Sequence, residues 1–200
     1  MEIRLEQEKD YFDVENLIRE SFWNVYHPGA YEHFIVHNLR NDNCFIKDLA
    51  YVIEEDGKII GHINYSMANL NNSMIAPLLG PVAIDRQYQN KGYGYKLIEY
   101  TLKLAEKMGF PFIFVIGDEN YYSRFGFKIA SKHNFYLDGA DTTQENPFFM
   151  IKIFDEELNN ENQVIFYTPS VFEVNEEDVD EFDKQFDYKE KLVLDGQLDN

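Results

Sequence analysis

The chain has 200 residues, of which 44% are hydrophobic and 16% aromatic, so it can build one ordinary domain with a sizeable core, and wholesale disorder is excluded. Its formal net charge of −18 disfavours nucleic acids and anionic membrane surfaces as partners and favours cationic small molecules or basic peptides. A single cysteine, an N-terminus without a signal-peptide pattern and the lack of a long apolar stretch together predict a cytoplasmic protein.

The spacing of apolar residues predicts helices and strands along most of the chain. Helices are predicted over 10–23, over 30–40 and from Gly94 to a stop at Gly109, with a short helical turn over 121–125. Strands are predicted over 2–6, 50–53, 59–67, 74–84 and 112–116, and near 127–130, 134–137 and 148–154. Gly80-Pro81 predicts an irregular 74–84 strand, since proline cannot complete a sheet ladder. These elements indicate an α+β (mixed α/β) fold with a mostly antiparallel sheet.

Composition divides the chain into a domain over 1–154, a strand or loop over 155–172 that completes it, and an acidic appendage over 173–200. The last 28 residues hold eleven acids and three bases, a net charge of −8. Such a charge density predicts a solvated segment. The spacing of its apolar residues leaves open that it docks as a short helix; these residues are Val174, Val179, Phe182 and Phe186.

The most informative stretch follows the 74–84 strand and runs from Gln89 to Gly94. Closely spaced glycines let the backbone approach a ligand, and the N–H groups at a helix N-terminus attract an anion. Lys91 adds a positive charge, so the stretch is typical of a pyrophosphate cradle. It matches neither the P-loop nor the dinucleotide-binding glycine pattern. The alternative is that Gly92 and Gly94 only turn the chain.

Two motifs together carry a resemblance to a known family. Gln89-x-x-Gly92-x-Gly94, between a strand and an amphipathic helix, resembles the acetyl-CoA motif of the GNAT superfamily of N-acetyltransferases. After the 112–116 strand comes Gly117-Asp118-Glu119-Asn120-Tyr121-Tyr122-Ser123-Arg124-Phe125-Gly126-Phe127. This run resembles the second signature of the superfamily, in the version of its YhbS-like branch. The two motifs lie within residues 79–130, and the order of elements extends the resemblance over 1–154.

The resemblance implies a fold and an acyl donor. A central, mostly antiparallel twisted sheet, flanked by helices, would hold acetyl-CoA between two splayed parallel strands, here 79–84 and 112–116. The pantetheine arm would pair with the backbone of Val82, Ala83 and Ile84. The diphosphate would rest on the backbone N–H groups of Gln89, Asn90, Lys91, Gly92, Tyr93 and Gly94. Many members carry an asparagine where this chain has Val115, so that side-chain amide is missing here.

The resemblance also implies direct transfer of an acetyl group to a primary amine. A backbone N–H near Val82 would hold the developing oxyanion. Tyr122 is the predicted general acid for the departing CoA thiolate, because a phenol is protonated at neutral pH; the alternative is a tyrosine packed in the core. Asp118 is the candidate general base, and the alternative for Asp118 is a helix cap.

Other polar residues are given structural roles. His62, Asn64 and Ser66 share one face of the 59–67 strand and are predicted to form a solvent-facing row; the alternative is that they line the acceptor cleft. The second helix carries His33 and His37 one turn apart, but no third ligand stands at a suitable spacing, so no metal site is predicted.

The sequence leaves the acceptor unidentified. In GNAT proteins its contacts come from variable segments, which correspond here to 23–34, 64–74 and 131–147. The net charge favours a cationic amine, in a small molecule or a peptide. A monomer and a homodimer both stay open, and so does a different class of function, an acyl-CoA-binding or regulatory module that is catalytically idle.

Overall fold

A computed structural model describes residues 1–155 and 162–198 of the chain. Its helices are α1 (Tyr11–Phe22), α2 (Glu32–Leu39), α3 (Tyr93–Lys107), α4 (Glu119–Tyr122) and α5 (Glu176–Asp183). Its strands are β1 (Glu2–Leu5), β2 (Tyr51–Glu55), β3 (Lys58–Leu70), β4 (Ile75–Ile84), β5 (Phe112–Ile116), β6 (Lys128–Ile129), β7 (Phe135–Leu137), β8 (Phe149–Ile153) and β9 (Val164–Tyr167). The predicted helices and strands are confirmed, with small differences at their ends.

The strands form one mixed sheet with the order β1-β2-β3-β4-β5-β8-β6, and β9 pairs with both β3 and β7. Neighbours run antiparallel except for two parallel pairs, β4 with β5 and β7 with β9. This arrangement confirms the predicted mixed fold with a mostly antiparallel sheet. No helix in the described part of the chain is long and apolar enough to cross a membrane.

Alternating side chains of β5 enter two different cores, as expected for a strand that is buried on both faces. Ile113 and Val115 pack against Leu97 and Ile98 of α3. The other face of β5 contributes to an aromatic core that consists mainly of Phe112, Phe114, Phe135, Phe149 and Phe166. A third group of apolar residues joins α1 and α2 to the sheet and contains Val14, Ile18, Val36, Val52 and Ala83.

The predicted solvent-facing row on β3 is wrong. His62, Asn64 and Ser66 are each 0% exposed. The physical reason is that β3 lies inside the sheet, between β2 and β4, and α1 packs against it. Asn64 lies at a shift in the β3–β4 register. With its side-chain amide turned so that the nitrogen faces β4, this nitrogen donates a hydrogen bond to the carbonyl oxygen of Gly80 at 2.8 Å. This contact supports the part of β4 that Gly80-Pro81 makes irregular.

A buried group of charged side chains, the Arg40 cluster, joins the region after β1 to α1, α2 and β3. Arg40 donates hydrogen bonds to Glu6 at 2.7 Å and to Glu15 at 2.5 Å, and the three side chains are at most 6% exposed. His62 Nε2 lies 3.3 Å from the Glu6 carboxylate. Burial opposes the ionisation of Glu6, but His62 and Arg40 outweigh it and lower the pKa of Glu6 to about 2. Opposite charges therefore neutralise one another inside the fold.

The two histidines of α2 have separate partners. His33 is fully buried, and its Nε2 lies 2.9 Å from Asp183. His37 is more exposed and lies 3.0 Å from Glu15. Among residues 1–155 and 162–198, no group of three or more His, Cys, Asp or Glu side chains is placed to hold a metal ion.

The acidic C-terminal segment docks along α1 and α2 over its described length, so the structure shows the docked short helix, α5. Asp183 of α5 accepts hydrogen bonds from Arg19 Nε at 2.7 Å and Arg19 Nη2 at 3.1 Å. Phe182 and Phe186 pack against the ring of His33. The boundaries 1–154, 155–172 and 173–200 stay a prediction, and residues 156–161 and 199–200 lie outside the described residues.

Replacing Asp183 with asparagine is expected to lower the free energy of unfolding by about 2 kcal/mol at pH 7, since Arg19 is then a buried cation without its carboxylate. Burial opposes the ionisation of Asp183, but His33 and Arg19 lower its pKa to about 2. The loss should therefore be full above the ordinary aspartate pKa and shrink as the pH falls towards 2.

Thermal unfolding at several pH values checks this result. Asp178→Asn, at an exposed position of the same helix, is the matched control and should change the stability by less than about 0.5 kcal/mol. Equal unfolding temperatures for Asp183→Asn and the wild type would show that the ion pair does not hold α5.

Candidate active site

The middle of the sheet contains an open strand edge. β4 and β5 pair at two positions only, Leu78 with Phe114 and Leu79 with Val115. Beyond Leu79, β4 pairs with β3 alone and its other edge has no neighbouring strand in the described chain. β4 and β5 are thus the two splayed parallel strands that were predicted. Val82, Ala83 and Ile84 lie in this open part of β4, where an extended ligand has a strand edge to pair with.

The turn that leaves β4 presents unpaired N–H groups at the start of α3. Gly92 adopts a φ of +83° at the N-cap, a conformation that favours glycine. Among the described residues, no acceptor receives a hydrogen bond from the backbone N–H groups of residues 89–92. The first N–H groups of α3, at Tyr93 and Gly94, likewise have no acceptor within the helix. Gln89 Nε2 donates to the carbonyl oxygen of Ile84 at 3.0 Å and so holds the turn against β4.

The positive charge at this turn is modest. Lys91 is exposed, and its Nζ lies 5.3 Å from the ring centroid of Tyr88. Lys58 nearby is already paired with Asp85 at 2.6 Å. An anion held at this turn would therefore depend mainly on backbone N–H groups and the dipole of α3, as the sequence analysis predicts.

Tyr121 brings the two sequence motifs together. A Cβ atom at Gly94 would lie 2.9 Å from Tyr121 Oη, so the absence of a side chain at Gly94 lets α4 approach α3. The rings of Tyr121 and Tyr122 pack edge to face, with 5.1 Å between their centroids. The glycine turn and the second motif therefore form one continuous surface beside the open edge of β4.

Tyr122 is buried with a hydroxyl that has no hydrogen-bond partner among the described residues. Its side chain is 8% exposed and packs against Phe125 and Phe127. Burial, followed by Tyr121 and then Tyr26, raises the pKa of Tyr122 above its ordinary value. The hydroxyl therefore stays protonated at neutral pH and is free to donate a hydrogen bond.

Asp118 is exposed and acts as the N-cap of α4. Its Oδ1 accepts hydrogen bonds from the backbone N–H of Asn120 at 2.9 Å and from Asn120 Nδ2 at 3.1 Å. This is the helix-cap alternative of the sequence analysis. The carboxylate also lies close enough to Tyr26 to raise the pKa of that phenol.

The α1–α2 connection lies at the end of β4. Ser21 Oγ is 3.3 Å from the carbonyl oxygen of Ile84, and Arg86 Nη2 donates to the carbonyl oxygen of Trp23 at 3.4 Å. This connection carries Tyr26 and leads to Glu32 in the first turn of α2. The sequence analysis missed both residues, because no motif surrounds them and only the general assignment of 23–34 to acceptor contacts included them.

Val115 is 1% exposed and belongs to the core beneath α3. Its side chain offers no hydrogen bond at the position where many GNAT proteins have an asparagine. Val115 itself can therefore contribute only its backbone groups to a polar contact with a ligand.

The chain thus combines an open β4 edge, a turn of unpaired N–H groups at the start of α3, and the buried Tyr122, the combination that the resemblance to GNAT acetyltransferases implied. The sequence pattern of the Acetyltransferase (GNAT) family matches residues 10–127, and the chain belongs to this family. It is similar to the "Uncharacterized N-acetyltransferase YhbS" of Escherichia coli, at 27% identity over 84% of this chain and 96% of that protein.

Two solved structures share the fold. The YhbS structure from E. coli, in complex with CoA, has a TM-score of 0.74 and 24% identity, over 86% of this chain and 92% of that one. A GNAT family acetyltransferase from Brucella melitensis, in complex with acetyl-CoA, has a TM-score of 0.69 and 27% identity, over 86% of this chain and 97% of that one.

Proposed function

We propose that the protein is an acetyl-CoA-dependent N-acetyltransferase that transfers the acetyl group directly to a primary amine. The observation that carries this proposal is the buried Tyr122, whose hydroxyl has no hydrogen-bond partner among the described residues and whose ring belongs to the core cluster that Val82 and Ile84 of β4 pack against. Family membership and the CoA or acetyl-CoA bound to two related structures support it.

The donor is held along β4 and at the start of α3. Its pantetheine amides pair with the backbone of Val82, Ala83 and Ile84, which has no strand neighbour on that edge. Its diphosphate accepts hydrogen bonds from N–H groups over Gln89–Gly94, with Lys91 as the nearby cation. These local donors act against the net charge of −18, whose long-range repulsion of the donor is screened as salt is added.

The chemistry requires one proton donor for the leaving group. The amine lone pair attacks the thioester carbonyl carbon, a backbone N–H near Val82 stabilises the oxyanion, and the carbon–sulfur bond then breaks. Tyr122 donates its hydroxyl proton to the CoA thiolate. The raised pKa of Tyr122 keeps that proton available across the neutral range.

Replacing Tyr122 with phenylalanine is the test of this function. We expect kcat to fall about 100-fold, because a positioned general acid is lost while the ring that fills the core stays. Thiol release from acetyl-CoA in the presence of polyamines, aminoglycosides, amino acids and peptide N-termini measures the rate. Calorimetry with CoA should show an unchanged Kd.

The matched control is Tyr188→Phe, at a tyrosine that is 90% exposed in the C-terminal segment, and it should keep the wild-type rate. An unchanged kcat for Tyr122→Phe would remove Tyr122 from the mechanism. Tight CoA binding by the wild type without turnover of any amine would instead indicate the catalytically idle module.

A further inference from the structure

The buried side chain of Asn64 lies opposite the point where β4 leaves β5. β4 pairs with β5 at Leu78 and Leu79, and the next residues of β4 are Gly80 and Pro81. With the amide turned towards β4, the Asn64 nitrogen lies 2.8 Å from the carbonyl oxygen of Gly80 and 3.2 Å from that of Pro81. A side chain of β3 that is 0% exposed therefore contacts both residues at which the cleft opens.

The two residues that contact Asn64 form a bulge in β4. On one side of the bulge Tyr65 pairs with Leu79, and on the other side Ile63 pairs with Val82. One residue of β3 therefore faces two residues of β4. A bulge of this kind bends its strand and changes which backbone groups face the neighbouring strand.

Beyond the bulge, the N–H of Val82 faces the open edge of β4. In an antiparallel pair, the backbone groups of successive residues point alternately at the partner strand and away from it. The N–H of Asp85 donates to the carbonyl oxygen of Ile60 on β3 at 2.9 Å. Counting back along β4 from Asp85, Ala83 also faces β3, whereas Ile84 and Val82 point away from it.

A regular ladder would place no N–H at this position. At the other end of the pair, the N–H of Leu70 donates to the carbonyl oxygen of Met74 at 2.9 Å. In an unbroken ladder counted from there, Leu79 and Pro81 would point away from β3. Proline has no N–H, and the N–H of Val82 would be bonded to β3. The bulge thus makes Val82 the first residue beyond Leu79 that directs an N–H to the open edge.

We propose that Asn64 is a positioning residue, which holds the Gly80–Pro81 bulge and thereby aims the N–H of Val82 at the carbonyl oxygen of the acetyl thioester. The proposal rests on the proposed function. As the amine nitrogen bonds to the carbonyl carbon, an electron pair moves to the carbonyl oxygen, and the N–H of Val82 donates to that oxygen until the carbon–sulfur bond breaks. Tyr122 protonates the thiolate, and the proton that the nitrogen loses replaces the one that Tyr122 gave. Asn64 exchanges no proton or electron.

The backbone on either side of the bulge limits what the loss of Asn64 can change. Gly80 has a φ of +128°, a conformation that favours glycine, although a Cβ atom there would meet no atom within 4 Å. Beyond the bulge, the bond from Asp85 to Ile60 keeps the register of β4. Loss of the Asn64 amide should therefore displace the N–H of Val82 and leave the rest of the open edge in place.

The kinetic test compares Asn64→Leu with the wild type, with the primary amine that the wild type acetylates fastest among those named above. Leucine is similar in size but cannot donate to the two carbonyl oxygens. We expect kcat to fall about 100-fold, as for the loss of one oxyanion donor, while the KM for the amine and the Kd for CoA change little.

Ser66→Ala is the matched control for a buried polar side chain of β3. Ser66 is 0% exposed, its hydroxyl has no hydrogen-bond partner among the described residues, and it pairs with Leu78, where β4 still pairs with β5. This variant should keep the wild-type kcat. A loss of kcat in Ser66→Ala as large as in Asn64→Leu would overturn the specific role of Asn64.

Gly80→Ala displaces the bulge from the β4 side and keeps the proposal testable if Asn64→Leu does not fold. It should lower kcat by a similar factor, and the double variant should be hardly slower than either single one, because both act on the same N–H. Gly57→Ala is the control for backbone strain, since Gly57 has a φ of +80° and a Cβ there meets no atom within 4 Å. It should keep the wild-type kcat.

A spectroscopic measurement is independent of turnover. The stretching frequency of a carbonyl falls when its oxygen accepts a hydrogen bond, and an isotopic label at the thioester carbonyl of acetyl-CoA separates this band from those of the protein. The frequency should be lower in the wild-type complex than in the Asn64→Leu and Gly80→Ala complexes, and Ser66→Ala should match the wild type. A merely structural role of Asn64 would lower the unfolding temperature without moving this band.

The outcomes separate this proposal from the proposed function. Turnover by the wild type, with an unchanged kcat or an unchanged carbonyl frequency in folded Asn64→Leu, overturns the role of Asn64 and leaves the proposed function standing. Absence of turnover with every amine overturns the proposed function. In that case a lower frequency in the wild type than in Asn64→Leu still supports the placement of the Val82 N–H, and equal frequencies overturn it.

Discussion

Arg40→Met is expected to lower the free energy of unfolding by about 3–5 kcal/mol at pH 7. The guanidinium is 3% exposed and bonds the carboxylates of Glu6 and Glu15, which are themselves buried. Methionine fills much of the same volume but removes the guanidinium from both carboxylates, which then keep only His62 and His37 as ion-pair neighbours among the described residues. For a chain of this size, the loss should lower the unfolding temperature by about 10 °C.

The pH dependence gives this prediction a specific signature. The pKa of Glu6 is lowered to about 2, below its unfolded value, so its pairing stabilises the fold above about pH 4.5 and loses effect as the pH falls towards 2. The difference between the wild type and Arg40→Met should therefore be largest near neutral pH and shrink in acid. Thermal or urea unfolding across this range measures it.

Two further variants separate the buried cluster from charge loss in general. Lys103→Met removes a cation that is 65% exposed and paired with Glu99 on the surface of α3, and it should cost less than about 0.5 kcal/mol. Adding Glu6→Gln to Arg40→Met should recover part of the stability, because a neutral amide then replaces one of the two buried carboxylates that lost the guanidinium. A double variant no more stable than the single one would indicate that packing, and not charge, causes the loss.

Gly117→Ala is expected to lower kcat about 100-fold, with little change in the Kd for CoA. A Cβ atom at Gly117 would lie 2.6 Å from Cε2 and 3.2 Å from Cδ2 of Tyr122. The ring of Tyr122 is held by Phe125 and Phe127 and has to move as a rigid body to avoid the overlap. A shift of about 1 Å in a catalytic group is enough for a loss of this size.

Gly109→Ala is the matched control for backbone effects. Gly109 has a φ of +86° at the end of α3, and a Cβ there meets no atom within 4 Å. This variant should lose stability through backbone strain while it keeps the wild-type kcat.

The double variant Gly117→Ala with Tyr122→Phe identifies the route of the effect. If Gly117→Ala acts through Tyr122, the double variant should be hardly slower than either single one, because the same group is lost twice. Wild-type kcat in Gly117→Ala would show that the position of the Tyr122 ring does not limit the rate.

The elements that position the site follow from local patterns. The spacing of apolar residues places the helices and strands, and Gly80-Pro81 marks the irregular part of β4. The paired glycines mark the start of α3 because a positive φ at Gly92 is a local backbone requirement. Local signals of this kind do not depend on which other segments lie nearby.

The row His62, Asn64 and Ser66 shows where local patterns fail. Alternation of polar and apolar residues in a strand indicates two different faces, but it does not say which face is covered. Both faces of β3 are buried, and two of the three side chains meet groups distant in sequence: His62 lies near Glu6, just after β1, and Asn64 meets Gly80 of β4. The net charge of −8 on the last 28 residues predicted a solvated segment, but this charge does not show which partners the segment has in the fold. Asp183 pairs with Arg19 and His33, which lie 150 residues or more away in the sequence.

The sequence by itself determined the family resemblance, the position of the glycine turn at Gln89–Gly94 and the choice of Tyr122, because each depends on residues close together in the chain. Only the tertiary structure decided which side chains are buried and which distant groups meet, including Arg40 with Glu6 and Glu15, and Asp183 with Arg19 and His33. Burial and long-range pairing set the pKa of a carboxylate and the free energy of the fold, and both arise only when separate segments pack together.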